Sequence, residues 1–334
     1  MARIGVAISG GLSASDIVEC VKLAEDLGYE SAWVAEGHGG DQFAVLAACA
    51  QVTSRILLGT SISSVFVRTA PTIAMAAATV DDLSQHRFIL GLGSSHRVQV
   101  EPEHGVTYAK PITRLREYVA VIRQLLRDDV VSYQGETIAI ERFELWFTPS
   151  RREIPIYLAA VFPKMMQVCG ELAQGVILTR STLETGRQVA EQVAIGARRA
   201  GRQPEDIEIT SLLPCSVDTD RQAAFDIMRP GVALYAGFFP RYNRLMAASG
   251  FAEAAERIRE LWTRGEHDAA IRAVPDALIG TTGVVGTPDA CRERIEAYRQ
   301  SGITVPIISP FSRGPEGKAR VMAAIRACAP SHSL

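Results

Sequence analysis

Short apolar runs recur along the chain, separated by longer stretches in which apolar residues return every three or four positions. Eight runs have the length of strands: RIGVAIS (3–9), SAWVAE (31–36), ILLGTSIS (56–63), FILGLGS (88–94), PIYLAAV (155–161), GVILTR (175–180), IEITSLLPCSV (207–217) and TVPIISPF (304–311). They show little polar alternation, the pattern of strands covered on both faces. Helical periodicity fills 15–28, 42–53, 70–84, 111–128, 163–174, 184–201, 219–236 and 288–301, with a last helix near 315–328. Gly28, Gly201 and Gly302 stand where helix-ending glycines are expected. Thr287-Pro288 reads as an N-cap followed by proline at the first helical position. Strand and helix alternate eight times, which predicts an α/β fold, a (β/α)8 TIM barrel forming a single domain over residues 1–330. Two segments interrupt the repeat. Residues 129–150 read as a small hairpin turning at Gln134-Gly135, and residues 237–286 as a long insertion of the kind that forms lids.

The chain has 334 residues and 47% hydrophobic composition, enough for a large core. Its 35 basic and 37 acidic residues give a net charge of −2 with no basic tract, which argues against a nucleic-acid partner. Six scattered cysteines form no CxxC pair and no zinc spacing, so reduced core thiols of a cytoplasmic protein are expected. MARIGVAIS enters a strand without a signal-peptide core, and no apolar run approaches the ~20 residues of a membrane span.

A barrel of this kind carries its site at the C-terminal ends of the strands. Those ends are rich in hydroxyls and small residues and poor in ionisable groups. Metal-ligand spacing is missing, no lysine lies within a strand, and only Glu36 is clearly a strand-end carboxylate. Metal hydrolysis, Schiff-base chemistry and two-carboxylate glycoside hydrolysis are therefore disfavoured. A large, flat, phosphate-bearing cofactor suits this rim better. Thr60, Ser61, Ser63 and Ser64 end the third strand, and buried hydroxyls need partners, either water at a turn or a ligand.

The segments SAWVAEGHGGD, RILLGTSISS through TAPTIAMAAATVDDLSQHRFILGLGSSH, PIYLAAVFPKMMQVCGELAQGVILT and AAERIRELWTRGEHDAAIRAVPDALIGTTGVVGTPD resemble the luciferase-like superfamily of flavin and deazaflavin barrels. Within it the chain is most similar to coenzyme F420-dependent oxidoreductases of actinobacteria and to methylenetetrahydromethanopterin reductases. The resemblance covers nearly the whole chain. It implies coenzyme F420 as cofactor, with FMN as the alternative, and insertions at the C-terminal face of the barrel.

It further implies a non-prolyl cis bond at Ser61–Ile62 in a third-strand bulge, with Ser64 hydrogen-bonding the ring system. By the same resemblance Ser94, Ser95 and His96 line the cofactor, and the Ala159, Ala160 and Val161 backbone approaches it. Thr179 and Arg180 match the phosphate-binding strand end. Well-known deazaflavin dehydrogenases carry Asp-His directly after the second strand. Here Glu36 and Gly37 hold those positions and His38 stands one residue late. Glu36 and His38 are the candidate proton-transferring residues. The implied function is hydride transfer between F420 and a small organic substrate, reducing C=C, C=N or C=O or running in reverse. The alternatives are an FMN-dependent monooxygenase and a non-catalytic flavin-binding barrel. The family's habit implies a homodimer.

Overall fold

The structure, a computed structural model, describes residues 3–330. The strands are β1 (Gly5–Ile8), β2 (Ser31–Val34), β3 (Leu57–Thr60), β4 (Ser63–Ser64), β5 (Phe88–Gly93), β6 (Val130–Gln134), β7 (Ala139–Glu144), β8 (Ile156–Ala159), β9 (Gly175–Thr179), β10 (Glu208–Val217), β11 (Val284–Gly286) and β12 (Val305–Pro310). Parallel pairing runs β1-β2-β3-β5-β8-β9-β10-β12, and β12 returns to β1. This is a closed eight-stranded parallel barrel wrapped by helices, with each expected apolar run supplying one stave. β4 continues the β3 stave, and β11 extends the pairing at the C-terminal end of β10.

The strands are short, and alternate residues serve two cores. Val6, Ile8, Ala32, Val34, Leu58, Leu90, Leu92, Ile156, Leu158, Val176 and Leu178 pack outward in the large cluster shared with the helices. Ala7, Trp33, Ile89, Tyr157, Ile177, Val305 and Ile307 fill the barrel interior. Trp33 needs a glycine opposite: a Cβ at Gly59 would come within 2.4 Å of its ring.

The β3 stave is irregular where the sequence changes from leucines to hydroxyls. Gly59 pairs with Ile89, but the next paired residue, Ser63, faces Leu92. One extra residue is thus accommodated on this stave, a bulge. The Ser61–Ile62 peptide is cis. The ladder across the bulge is closed by a side chain: the buried Thr60 hydroxyl donates to the Gly91 carbonyl and accepts from the Gly91 N–H, both at 2.8 Å. Only glycine fits at 91, because a Cβ there would lie 1.8 Å from the Thr60 carbonyl oxygen.

The predicted helices appear at Ala14–Asp26, Gln42–Val52, Ala70–Leu83, Pro111–Asp128, Pro163–Leu172, Leu183–Arg199, Arg221–Phe238, Pro288–Gln300 and Gly317–Ala327. The Thr287 side chain caps Pro288–Gln300 by accepting from Ala290 N–H. The hairpin of 129–150 is β6–β7, and Glu117 stabilises its turn by accepting from the Glu136, Thr137 and Ile138 N–H groups.

The insertion at 237–286 is mostly helical: Pro240–Met246, Ala252–Thr263, His267–Arg272 and Asp276–Thr282. Its apolar residues, Met246, Ile258, Leu261, Leu278 and Ile279 among them, form a separate cluster with Phe225, Met228 and Val232 of Arg221–Phe238. The buried Asn243 amide donates to the carbonyls of Ala236 and Ala255, tying three of these helices together.

Candidate active site

The strand ends converge on a mouth whose first wall is the bulge. The Ile62 side chain packs on Gly93, where an added Cβ would sit 2.8 Å from it and 3.2 Å from the Ala159 Cβ. Ile62 thereby joins the staves β3, β5 and β8 at the top of the barrel interior. Ser64 lies buried on β4, and its hydroxyl accepts from Phe66 N–H at 3.3 Å. The hydroxyls of Ser61 and Ser63 are buried and have no partner.

Beyond β2, Glu36 reaches the bulge. Its Oε2 accepts from Ser64 N–H at 3.3 Å and its Oε1 from Arg68 Nε at 2.6 Å. Arg68 also pairs with Asp41. Burial works against the Asp41 carboxylate, but Arg68 and the N–H groups of Ala44 and Phe43 outweigh it and hold the carboxyl below its ordinary range. Gln42, fully buried one residue later, has a side-chain amide without partners at either atom. His38 lies outside this cluster. Its side chain is 73% exposed and its Nε2 stands 2.9 Å from Glu103 Oε2.

After β5, Ser94 accepts from the Tyr108 hydroxyl at 3.0 Å, and Ser95 adopts a left-handed φ of 51°. His96 is packed among aromatic rings, with the Phe239 and Tyr242 centroids 4.8 and 5.1 Å from its own. Burial, with a smaller contribution from Arg241, pushes its imidazole down to about 4, so it is neutral at neutral pH. A neutral imidazole here donates or accepts a hydrogen bond but carries no cation. Arg241 donates to the Tyr108 hydroxyl at 3.0 Å, which joins the insertion to the strand end.

On the far wall, Ala159 closes β8, Ala160 N–H donates to the Ile177 carbonyl at 3.1 Å, and Val161 precedes Phe162. Thr179 ends β9 and is half-buried. Arg180 follows with a left-handed φ of 52°. Its side chain is buried, its guanidinium lies 3.7 Å from the Tyr235 ring centroid, and its Nη1 has no partner. Burial lowers its pKa from the ordinary arginine value; a guanidinium stays protonated at neutral pH even so.

The orphaned atoms test whether a cofactor fits. Among the described residues six buried side-chain atoms lack partners: two on Gln42 and one each on Ser61, Ser63, Arg180 and Arg294. Five of the six belong to the segments that follow β2, β3 and β9. Unpartnered buried polar atoms are rare and costly, so their gathering at one end of the barrel fits a polar ligand there.

The structure brings Glu36, Ser61, Ile62 and Ser64 together, and it joins Ser94 and Ser95 to the insertion through Tyr108. It leaves His38 at the surface. Sequence reading did not single out Thr60 as the ladder partner, nor Gln42, Arg68, Tyr108, Tyr235, Tyr242 and Arg241 as neighbours of the site. Arg68, four residues past Ser64, was within reach of local inspection. Tyr235 and Tyr242 lie more than 130 positions from His96 in sequence and carry no local signal.

Residues 1–305 match the family model described as luciferase-like monooxygenase. The chain is 29% identical over 322 residues to the 5,10-methylenetetrahydromethanopterin reductase of Archaeoglobus fulgidus, covering 95% of each protein. It is 31% identical over 316 residues to a Mycobacterium tuberculosis protein provisionally named coenzyme F420-dependent oxidoreductase, covering 88% of this chain and 90% of that one. Its fold superposes with a TM-score of 0.86 on the F420-dependent tetrahydromethanopterin reductase of Methanopyrus kandleri, at 25% identity and 98% coverage of both chains. An F420-dependent secondary alcohol dehydrogenase shares the fold, with a TM-score of 0.79 at 21% identity over 98% of this chain and 99% of that one. From the match along nearly its whole length, and from the bulged barrel just described, the chain belongs to the luciferase-like monooxygenase family.

Proposed function

We propose that this chain is an F420-dependent oxidoreductase that moves a hydride between the deazaflavin and a small organic substrate with a C=C, C=N or C=O bond, or the reverse. The observation that carries this reading is the set of buried, unpartnered hydroxyl and guanidinium groups of Ser61, Ser63 and Arg180 at the strand ends. The relatives named for F420 chemistry support it. The bound cofactor would supply a two-electron hydride donor or acceptor at its ring. The bulge with Ile62 holds the ring's face, and the Ser61, Ser63 and Ser64 hydroxyls and amides meet its heteroatoms. His96, neutral, donates or accepts one hydrogen bond from the β5 side. Thr179 and Arg180 meet the phosphate.

Both oxygens of Glu36 are engaged, by Arg68 and by Ser64 N–H. Glu36 is therefore a positioning residue for the bulge in this reading. His38, beside Glu103, is the group that exchanges a proton with the substrate. The distinction shows in the kinetics: H38A lowers turnover and keeps F420 affinity, whereas E36Q lowers F420 affinity. A homodimer is the expected assembly, which light scattering measures directly.

The deciding experiment titrates the purified protein with F420 and, in parallel, with FMN, followed by fluorescence. Tight F420 binding with weak FMN binding is expected. A preference for FMN overturns the deazaflavin reading in favour of oxygenation with reduced flavin.

A further inference from the structure

We propose that the helix Pro240–Met246 reads an anionic group, a carboxylate or a phosphate, on a ligand held at the barrel mouth. This rests on the reading of that mouth as a deazaflavin site. Arg241 and Arg244 stand three positions apart, so they project from adjacent turns of one side of the helix. Arg241 meets the segment after β5: its guanidinium donates to the Tyr108 hydroxyl at 3.0 Å and lies 5.6 Å from that ring's centroid. Arg244 meets the segment after β8, its guanidinium 5.3 Å from the Phe162 ring. The helix thus bridges two of the strand ends that form the mouth.

Among the described residues neither arginine has a carboxylate partner, and nor does Arg180. Sixteen of the 31 arginines share that condition, and these three are set apart by their place at the mouth, whereas others near it are paired. Arg68 pairs with Glu36 and Asp41, Arg97 with Glu101, Arg151 with Asp81, and Arg229 with Asp226 and Asp276. The carboxylates near the mouth are already engaged, Glu36 and Asp41 after β2 by Arg68, and, after β5, Glu101 by Arg97 and the Tyr108 N–H and Glu103 by His38. Arg68 and Arg97 thus engage carboxylates nearby while Arg180, Arg241 and Arg244 do not, in a protein whose overall charge is −2.

Arg241 is half-buried and uses one donor on Tyr108, which leaves most of its fork free. A guanidinium partly withdrawn from water gains most from a carboxylate or phosphate, which it can bind through two parallel bonds. The anion can belong to the substrate or to the phosphate and glutamates of the cofactor's tail. In either case the arginines select for negative charge.

The test compares wild type with R241Q/R244Q. Each is titrated by fluorescence with F420 and with the ribityl deazaflavin that lacks phosphate and glutamates. Each is then titrated with inorganic phosphate at fixed ionic strength, unloaded and F420-saturated, with melting temperature read against chloride. If the cofactor's tail is the source, the double variant loses roughly ten-fold or more in F420 affinity and keeps its affinity for the tailless compound. If the substrate is the source, both deazaflavins bind as before, and phosphate raises the melting temperature of wild type but not of the variant. A variant that matches wild type in every titration overturns the inference. A wild type that binds neither deazaflavin overturns the cofactor reading instead, and the phosphate titration of the unloaded protein still decides the inference. R244Q alone, an exposed change, covers the case in which the double variant does not fold.

Discussion

Replacing Thr60 by valine isolates one atom. Valine keeps the shape and the β-branched preference of the residue but has no hydroxyl. That hydroxyl gives the Gly91 N–H its acceptor and the Gly91 carbonyl a donor, at 2.8 Å each, in a place where Thr60 has no exposure. The extra residue in the bulge carries the β3 backbone out of register with β5, so water would have to enter a closed barrel wall to replace the bonds. An unpaired buried N–H costs about 1–3 kcal/mol and the second lost bond adds about 1 kcal/mol. The expected destabilisation is therefore roughly 2–4 kcal/mol. Unfolding entropy for 334 residues is about 0.7 kcal/mol/K, so the melting temperature falls by roughly 3–6 °C. Threonine to serine keeps the hydroxyl and loses a methyl, at a cost of about 1 kcal/mol. Calorimetry with matching urea unfolding of wild type, T60S and T60V measures both steps. A T60V protein that melts with wild type, or a T60S protein as damaged as T60V, refutes the claim that the hydroxyl closes the ladder.

G91A places a Cβ 1.8 Å from the Thr60 carbonyl oxygen, and the barrel wall must move to accept it. A loss of about 3 kcal/mol or more, or insoluble expression, is expected by urea unfolding. His96 sets a pH dependence. Burial first, and Arg241 second, depress its folded pKa to about 4 from 6.5. The unfolded chain therefore binds the proton first, and stability present above about pH 6.5 is lost as pH falls toward about 4, by roughly 3 kcal/mol over the whole window. Urea midpoints between pH 7 and pH 4 should show this slope in wild type and a shallower one in H96F. E36Q removes the charge from the carboxylate that Arg68 and the Ser64 amide share, and about 1–3 kcal/mol of stability should go with it. H38A removes an exposed side chain and should stay within about 0.5 kcal/mol of wild type in the same urea assay.

The barrel was legible in the sequence because its signals are local. Continuous apolar runs such as FILGLG and IYLA suit only strands covered on both faces, and those runs became β5 and β8. The caps and helix-ending glycines needed no partner to be read, as Thr287 shows. The hydroxyl-rich end of the third strand was also visible as an anomaly for a core strand. What those hydroxyls do divides between neighbours that no local pattern names: Thr60 closes the ladder to Gly91, Ser64 packs beside Glu36, and Ser61 and Ser63 stay free. The insertion at 237–286 read as a long interruption, because its short helices are stabilised by one another and by Asn243 rather than by a long amphipathic stripe. Local periodicity determines which segments become staves and covering helices, since each must hide its own apolar face. Closure of the barrel alone decides that Arg68 claims Glu36, that His96 is held neutral among rings, and that Arg180, Arg241 and Arg244 are left without carboxylates, because charge and burial depend on neighbours distant in sequence.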